Sequence, residues 1–290
     1  LVIVNPGSRR GASSLDAATR AFARAGVTCT VHATAHPGHA EQLARAHAHG
    51  HDAVFTLGGD GTVMEVLHAL QGSGQPVGVL PAGTGNLLAR ALGIPMSVRR
   101  AVAALVAGET TRIDLGRLED GRVFAIAAGV GVDAAMVQET SARAKRRFGV
   151  LAYVVTGTRA ALRMEAFALR AMVDGVAHEF RATAALVANF GTLLGGLIRL
   201  GPDVRENDGM LDLCVFSPAS VPDALRLGWR LMRHDFRPDR SMHFLRGRTM
   251  HLETSPRRAT QADGELLPGA TLHVTVAPRA ACVLVPSVAR

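Results

Sequence analysis

Lysine is almost missing from this chain: among 290 residues the only one is Lys145. A GxxxxGK[ST] phosphate loop and the strand lysine of a protein kinase both require one. The surrounding "SARAKRRFG" fits neither pattern. Any phosphate bound here must therefore be neutralised by backbone N–H groups, arginine or a metal. Cysteine is scarce too. Cys29, Cys214 and Cys282 are far apart and odd in number, which argues against a disulfide framework or a cysteine zinc site. They read as buried core thiols in a reducing compartment. Aromatic residues make up only 4%, so the core must be built from Ala, Val and Leu. Long hydrophobic runs are absent as well. The longest uncharged stretch, 182–198, is broken by Asn189, Gly191, Gly195 and Gly196, and reads as a buried strand running into a loop. No secretory leader is visible, and the opening at Leu1 directly in a strand leaves room for residues upstream.

What is present is a globular composition, 48% hydrophobic with 31 glycines, and a net charge of +8 carried by arginine. Such a charge favours nucleic acid, anionic lipid or phosphorylated ligands. Strand and helix patterns alternate over the first hundred or so residues. Strands are expected at 1–5, 29–33, 53–57 and 77–80, and helices at 14–25, 37–49, 87–92 and 98–107. Thr62 and Glu65 read as a T-x-x-E capping box that starts a further helix. Past Gly108 strand patterns crowd together, at 124–128, 169–173, 184–189, 211–216, 250–252, 271–276 and 282–285. Helices interrupt them near 150–162 and 221–232. The expected fold is an α/β N-terminal domain with a parallel sheet, residues 1–110, followed by a mostly antiparallel β domain, residues 111–290.

Three glycine turns fall at the carboxyl ends of predicted strands: "NPGSRRG" (5–11), "GGDGT" (58–62) and "PAGTGN" (81–86). Ligands of open α/β sheets bind along that edge, and glycine lets backbone N–H groups approach a phosphate. Asn5, Thr62, Thr84 and Asn86 add side-chain donors. Asp60 sits in the middle of the second turn, where a bare carboxylate would repel a phosphate. It must share a divalent cation with that phosphate or accept a proton, and both belong to phosphoryl transfer. The bland alternative is that Asp60 caps the following helix, a role already given to Thr62.

These motifs together resemble the bacterial diacylglycerol kinase-like lipid kinases, a group that includes sphingosine kinases. "NPGS", "GGDGT", "PAGTGNLLAR", "RIDLG" (112–116), "AGVGVDA" (129–135), "RENDGMLD" (205–212) and "DGE" (263–265) carry the resemblance over almost the whole chain. GGDGT alone is also found in NAD kinases and phosphofructokinases. The resemblance implies an NAD-kinase-like N-terminal domain, ATP in a cleft between two domains, and an acceptor pocket in the β domain. It implies that Asn5, Thr34, Gly58, Gly59, Asp60, Gly61, Thr62, Gly83, Thr84 and Asn86 form the ATP site. Asp60 and Glu265 would be catalytic, with Glu265 taking the acceptor hydroxyl's proton. In "DVRENDGMLD" it implies a structural Mg2+ held by Asp208 and the carbonyls of Arg205 and Met210, with Asp114 linked to it through water. Leu87 departs from the pattern, because many members carry aspartate after that asparagine. This leaves the identity of the lipid alcohol open.

The implied partners are a lipid alcohol substrate and a membrane surface, not nucleic acid, with a homodimer left open. The implied location is cytoplasmic, reaching the inner face of the membrane. Two features could serve that surface. Arg143, Lys145, Arg146 and Arg147 form one cationic cluster. In "ALRLGWRLMRHDFR", Arg226, Arg230 and Arg233 share one helical face while Leu225, Trp229 and Met232 share another. An ordinary helix packed on a sheet, with solvated arginines, accounts for the second at least as well. The histidines at 32–51 read as surface residues. Two rival functions are an NAD kinase, against which the absence of acidic residues in "PAGTGNLLAR" counts, and a non-catalytic nucleotide- or lipid-binding module.

Overall fold

A computed structural model describes residues 1–131, 165–193, 196 and 198–287. The helix expected near 150–162 and the cluster at 143–147 lie outside the described residues. The chain forms two compact units, Leu1–Leu115 together with Pro278–Arg290, and Gly116–Ala277.

In the first unit the order is β1 (Val2–Val4), α1 (Gly11–Arg24), β2 (Val31–Ala33), α2 (His39–His47), β3 (Val54–Gly58), α3 (Asp60–Leu70), β4 (Pro76–Pro81), α4 (Leu87–Ala91) and α5 (Val98–Val106), followed by β5 (Glu109–Leu118). The sheet runs β2-β1-β3-β4 and every pair is parallel. A parallel sheet is covered on both faces, which is why β3 is buried at every position and "VFTL" shows no polar alternation. Helix α1 buries Ala18, Ala21 and Phe22, and Phe22 meets Phe55 of β3 edge-on at 4.7 Å. The chain leaves β1 toward β2 on one side and returns to β3 on the other. The carboxyl ends of β1 and β3 therefore flank the point where the winding reverses, the usual ligand crevice of such sheets.

The second unit holds β6 (Val123–Phe124), β7 (Ala127–Gly131), β8 (Phe167–Val173), β9 (Val176–Ala182), β10 (Ala184–Ala188), β11 (Thr192–Leu193), β12 (Ile198–Arg199), β13 (Leu211–Phe216), α6 (Val221–Met232), β14 (Met242–Gly247), β15 (Thr249–Ser255), β16 (Thr260–Ala262), β17 (Glu265–Leu267) and most of β18 (Thr271–Val285). One antiparallel sheet pairs β18-β15-β8-β9 and another pairs β14-β13-β10-β7-β16-β17. Leu169, Ala171, Leu252 and Val274 from the first meet Val130, Val187, Leu213 and Val215 from the second in a shared core. The second sheet is apolar on its other face too. There Leu186, Cys214 and Phe216 form a smaller core with Leu227 of α6. Burial on both faces explains the unbroken apolar runs of β10 and β13.

The C-terminal stretch differs from expectation. Pro278 suggests a break between two strands, but Thr271–Val285 is one strand whose Cys282 and Val283 pair with Pro76 and Val77 of β4. The last residues thereby return to the first unit. Cys214 is buried as expected, and burial pushes its thiol up, whereas Cys29 and Cys282 are only half-buried.

Candidate active site

The turns after β1, β3 and β4 interlock. Asn5 donates its side-chain amide to Thr62 Oγ1 at 3.1 Å and accepts from the Gly7 N–H at 2.9 Å. Ala82 N–H donates to the Gly58 carbonyl, and Arg10 N–H donates to the Ala82 carbonyl. Asn86, at φ 49°, closes the third turn by accepting from Gly83 N–H and donating to Gly83 O, both at 2.9 Å. That left-handed conformation favours asparagine or glycine. A Cβ on Gly83 would stand 2.5 Å from the Gly59 Cα, so the second and third turns cross backbone on backbone. Thr34, just beyond β2, donates its N–H to Val4 O on the same edge, and Thr84 is exposed there. Gly83→Ala forces these turns apart. It should cost about 1–3 kcal/mol of stability, an overpacking effect read as a lowered chemical-denaturation midpoint.

Thr62 does not take the capping role expected of it, and Asp60 does not take it either. Helix α3 begins at Asp60 behind an extended Gly59, and no side chain caps it. Thr62 is the partner of Asn5. The Asp60 carboxylate accepts from the N–H groups of Asn86 at 2.8 Å and Leu87 at 2.5 Å, tying the second turn to the third. Burial pushes its carboxyl above the ordinary range, against the pull of those two N–H groups and Arg90. An ionised carboxylate has about four lone-pair positions, so two N–H bonds leave room for a cation. Arg90 itself donates Nε to Gly85 O at 3.0 Å, which holds a guanidinium beside the third turn. Sequence reading passed over it, although arginine is one of the three groups that the lack of lysine leaves to neutralise a phosphate.

Glu65 is not the second half of a capping box. Its carboxylate accepts from Gly38 N–H at 2.9 Å and Ala40 N–H at 3.0 Å, fastening the start of α2 to α3. Bonds to a charged acceptor are worth roughly 1.5–3 kcal/mol each when removed. Glu65→Ala should therefore destabilise the protein by about 2 kcal/mol in urea unfolding, with Glu65→Gln intermediate.

In the second unit, Asp263 and Gly264 form the two-residue turn joining β16 to β17, with φ of 46° and 89°. The Asp263 carboxylate accepts from the N–H groups of Ala125, Ile126 and Ala127 at 2.6, 2.9 and 3.0 Å. Gly264 N–H is taken by Gln261 Oε1 at 2.8 Å. Glu265 follows as the first residue of β17. It is exposed on a hairpin tip that its neighbours hold rigid.

The 203–212 loop carries Asp203, Asp208 and Asp212 against one arginine from β14. Arg246 lies 3.0 Å from Asp208 Oδ2 and 3.1 Å from Asp212 Oδ1, and donates to the Asp203 carbonyl at 2.6 Å. Burial, and the charges of Asp208 and Asp203, push the Asp212 carboxyl up despite Arg246. Asp208 Oδ1 also accepts from the Met210 N–H at 3.1 Å. A divalent cation fits this surplus of negative charge. Among the described residues no three His, Cys, Asp or Glu side chains converge on a metal position, so its other ligands would be carbonyls, as expected of Arg205 and Met210. Asp114 belongs to the first unit, fully buried, and accepts from Arg279 N–H at 2.6 Å.

Comparison with known proteins decides the family. The sequence profile of the diacylglycerol kinase catalytic domain matches residues 1–118, and that of the YegS C-terminal NAD kinase β-sandwich-like domain matches residues 126–285. The chain belongs to the diacylglycerol kinase family of lipid kinases. As a member it is a phosphotransferase acting on a lipid alcohol. A diacylglycerol kinase of Mycobacterium tuberculosis is 32% identical over 84% of this chain and 80% of its own length. One from Bacillus subtilis is 29% identical over 92% of this chain and 91% of its own. A Synechocystis protein, sll0036, is 29% identical over 82% of this chain, which spans about 55% of that protein. The fold is that of a crystal structure of a putative diacylglycerol kinase from Bacillus anthracis, with a TM-score of 0.80 at 22% identity, covering 98% of this chain and 95% of that one. Among the described residues no helix is long and apolar enough to cross a membrane.

Proposed function

We propose that this lipid kinase transfers the γ-phosphoryl group of ATP to a hydroxyl of an apolar lipid, with diacylglycerol the first acceptor to try. The observation that carries the reading is the cross-bracing of three glycine turns at the reversal point of the parallel sheet, with Asp60 as the brace. Asn5, Thr34, Gly58–Thr62, Gly83, Thr84 and Asn86 line the nucleotide's phosphates. The hydroxyls of Thr34, Thr62 and Thr84 and those N–H groups not already tied between the turns, with the Arg90 guanidinium, would supply the positive potential that a lysine gives in other kinases. Asp60 would hold a magnesium ion, which when bound would supply charge neutralisation for the phosphates. Glu265, whose side chain is exposed and makes no hydrogen bond among the described residues, is placed to take the proton of the acceptor hydroxyl in this reading. A second magnesium, held by Asp208 and the carbonyls of Arg205 and Met210, would brace the loop before β13.

Leu87 stands where many relatives have an acid, and its N–H is occupied by Asp60. That arrangement favours an acceptor with little polar head beyond the reacting hydroxyl. We place the enzyme in the cytoplasm, working at the inner face of the membrane. The test is a panel of defined lipid alcohols, with NAD as a further arm, each incubated with ATP and Mg2+. Phosphorylation of one lipid class and not of NAD is the expected outcome. Phosphorylation of NAD alone would reject the reading.

A further inference from the structure

Helix α6 has two apolar faces. Leu227 is buried in the smaller core and Leu231 packs against it, the inward stripe that any covering helix needs. A second stripe, Pro222, Leu225, Trp229 and Met232, recurs at spacings of three and four residues. Leu225 is 49% exposed and Trp229 is 58% exposed. Large apolar side chains grouped on one exposed face mark a place of contact.

The charges beside the stripe discriminate between possible contacts. Arg226 is matched by Asp223 at 2.6 Å and Asp239 at 3.3 Å, and Arg230 by Asp239 at 2.6 Å and Asp235 at 3.5 Å. Residues 221–240 nevertheless hold five arginines and three aspartates, a cationic surplus. Arg233 lies 5.8 Å from the Trp229 ring centre, at the end of the stripe. A second copy docking through the same face in a two-fold contact would set this surplus against itself. An anionic bilayer instead places phosphate headgroups beside the arginines. Its interfacial zone takes up tryptophan and leucine, and the Asp-paired arginines enter without an unmatched charge.

We infer that α6 is the membrane-docking element, with Leu225 and Trp229 entering the interface of an anionic bilayer and Arg233 meeting headgroup phosphate. This rests on the reading of the protein as a lipid kinase whose acceptor lies in a membrane. The contact is simple to test, because Trp229 is the chain's only tryptophan and its fluorescence reports on this one position.

The experiment adds vesicles of phosphatidylcholine, alone or mixed with phosphatidylglycerol, to the protein. With the anionic vesicles the emission shifts to the blue and becomes protected from iodide quenching; with phosphatidylcholine alone the change is much smaller. Flotation of the double variant Leu225→Gln/Trp229→Gln with anionic vesicles falls about ten-fold or more. Both positions are exposed, so the variant keeps its fold. It also keeps its turnover on a diacylglycerol with chains too short to form bilayers. Emission that ignores anionic vesicles overturns the inference, as does a blue shift that follows protein concentration without lipid, which would identify a second copy as the occupant. If Trp229 inserts but no lipid is phosphorylated in any form, docking stands and the kinase reading falls. If short-chain lipid is phosphorylated and Trp229 does not insert, the reverse holds.

Discussion

Asp60→Ala should lower kcat by about 10²–10³-fold, the scale of losing a preorganised electrostatic partner of the transition state. It should also cost about 2 kcal/mol of stability, because two backbone N–H groups lose a charged acceptor. The two effects separate in Asp60→Asn. The amide oxygen still accepts from Asn86 or Leu87, so much of the stability returns, but a neutral amide holds a divalent cation beside phosphate far more weakly than a carboxylate does, and activity stays low. Single-turnover kinetics beside urea unfolding would show the split, and an active Asp60→Asn enzyme would remove Asp60 from the chemistry. The pH dependence has a definite sign. Burial holds the Asp60 carboxyl above its ordinary value of 3.8, so the folded protein binds this proton more tightly than the unfolded chain does. Acidification through the folded pKa removes the catalytic charge while this group's contribution to stability grows. The acid limb of kcat/KM should therefore lie above 3.8, and at its start should not coincide with unfolding.

Glu265→Gln should behave differently. Removing a general base costs about 10²–10⁴-fold in turnover. The melting temperature should be unchanged, because Glu265 is exposed and the hairpin's position is set by Asp263 and Gln261. ATP binding by titration calorimetry should survive as well. Near-parental turnover in Glu265→Gln would transfer the proton to another acceptor.

Much of the first unit was legible because its signals are local. Buried parallel strands read as short apolar runs, and each glycine turn names the end of one. The pairing of carboxylates with distant N–H groups was not legible. T-x-x-E is a true capping pattern, yet Glu65 reaches α2 across 25 and 27 residues, and Thr62 serves Asn5 across 57. Sequence spacing ranks near partners first, and here tertiary ones win. The same limit hid Asp263: "DG" announces a turn, but nothing in the dipeptide announces three N–H groups from residues 125–127.

In the second unit the missed strands are those with the weakest pattern. Strand β9, "VAHEFRA", lies at a sheet edge with Val176 58% exposed, and an edge strand can be polar where a central one cannot. Strand β14, at the edge of the other sheet, is similar. The "basic face" of α6 is a third case. Periodicity places Arg226 and Arg230 together correctly, but their carboxylate partners Asp235 and Asp239 come from the segment after the helix.

The most direct test gives the protein ATP carrying heavy oxygen in the γ-phosphoryl group, Mg2+ and a total lipid extract, and weighs the lipid products. The account predicts one lipid class gaining a phosphoryl group with the heavy label intact, and no such product with Glu265→Gln. Heavy label recovered only in free phosphate or in NADP, with every lipid at its original mass, would contradict it.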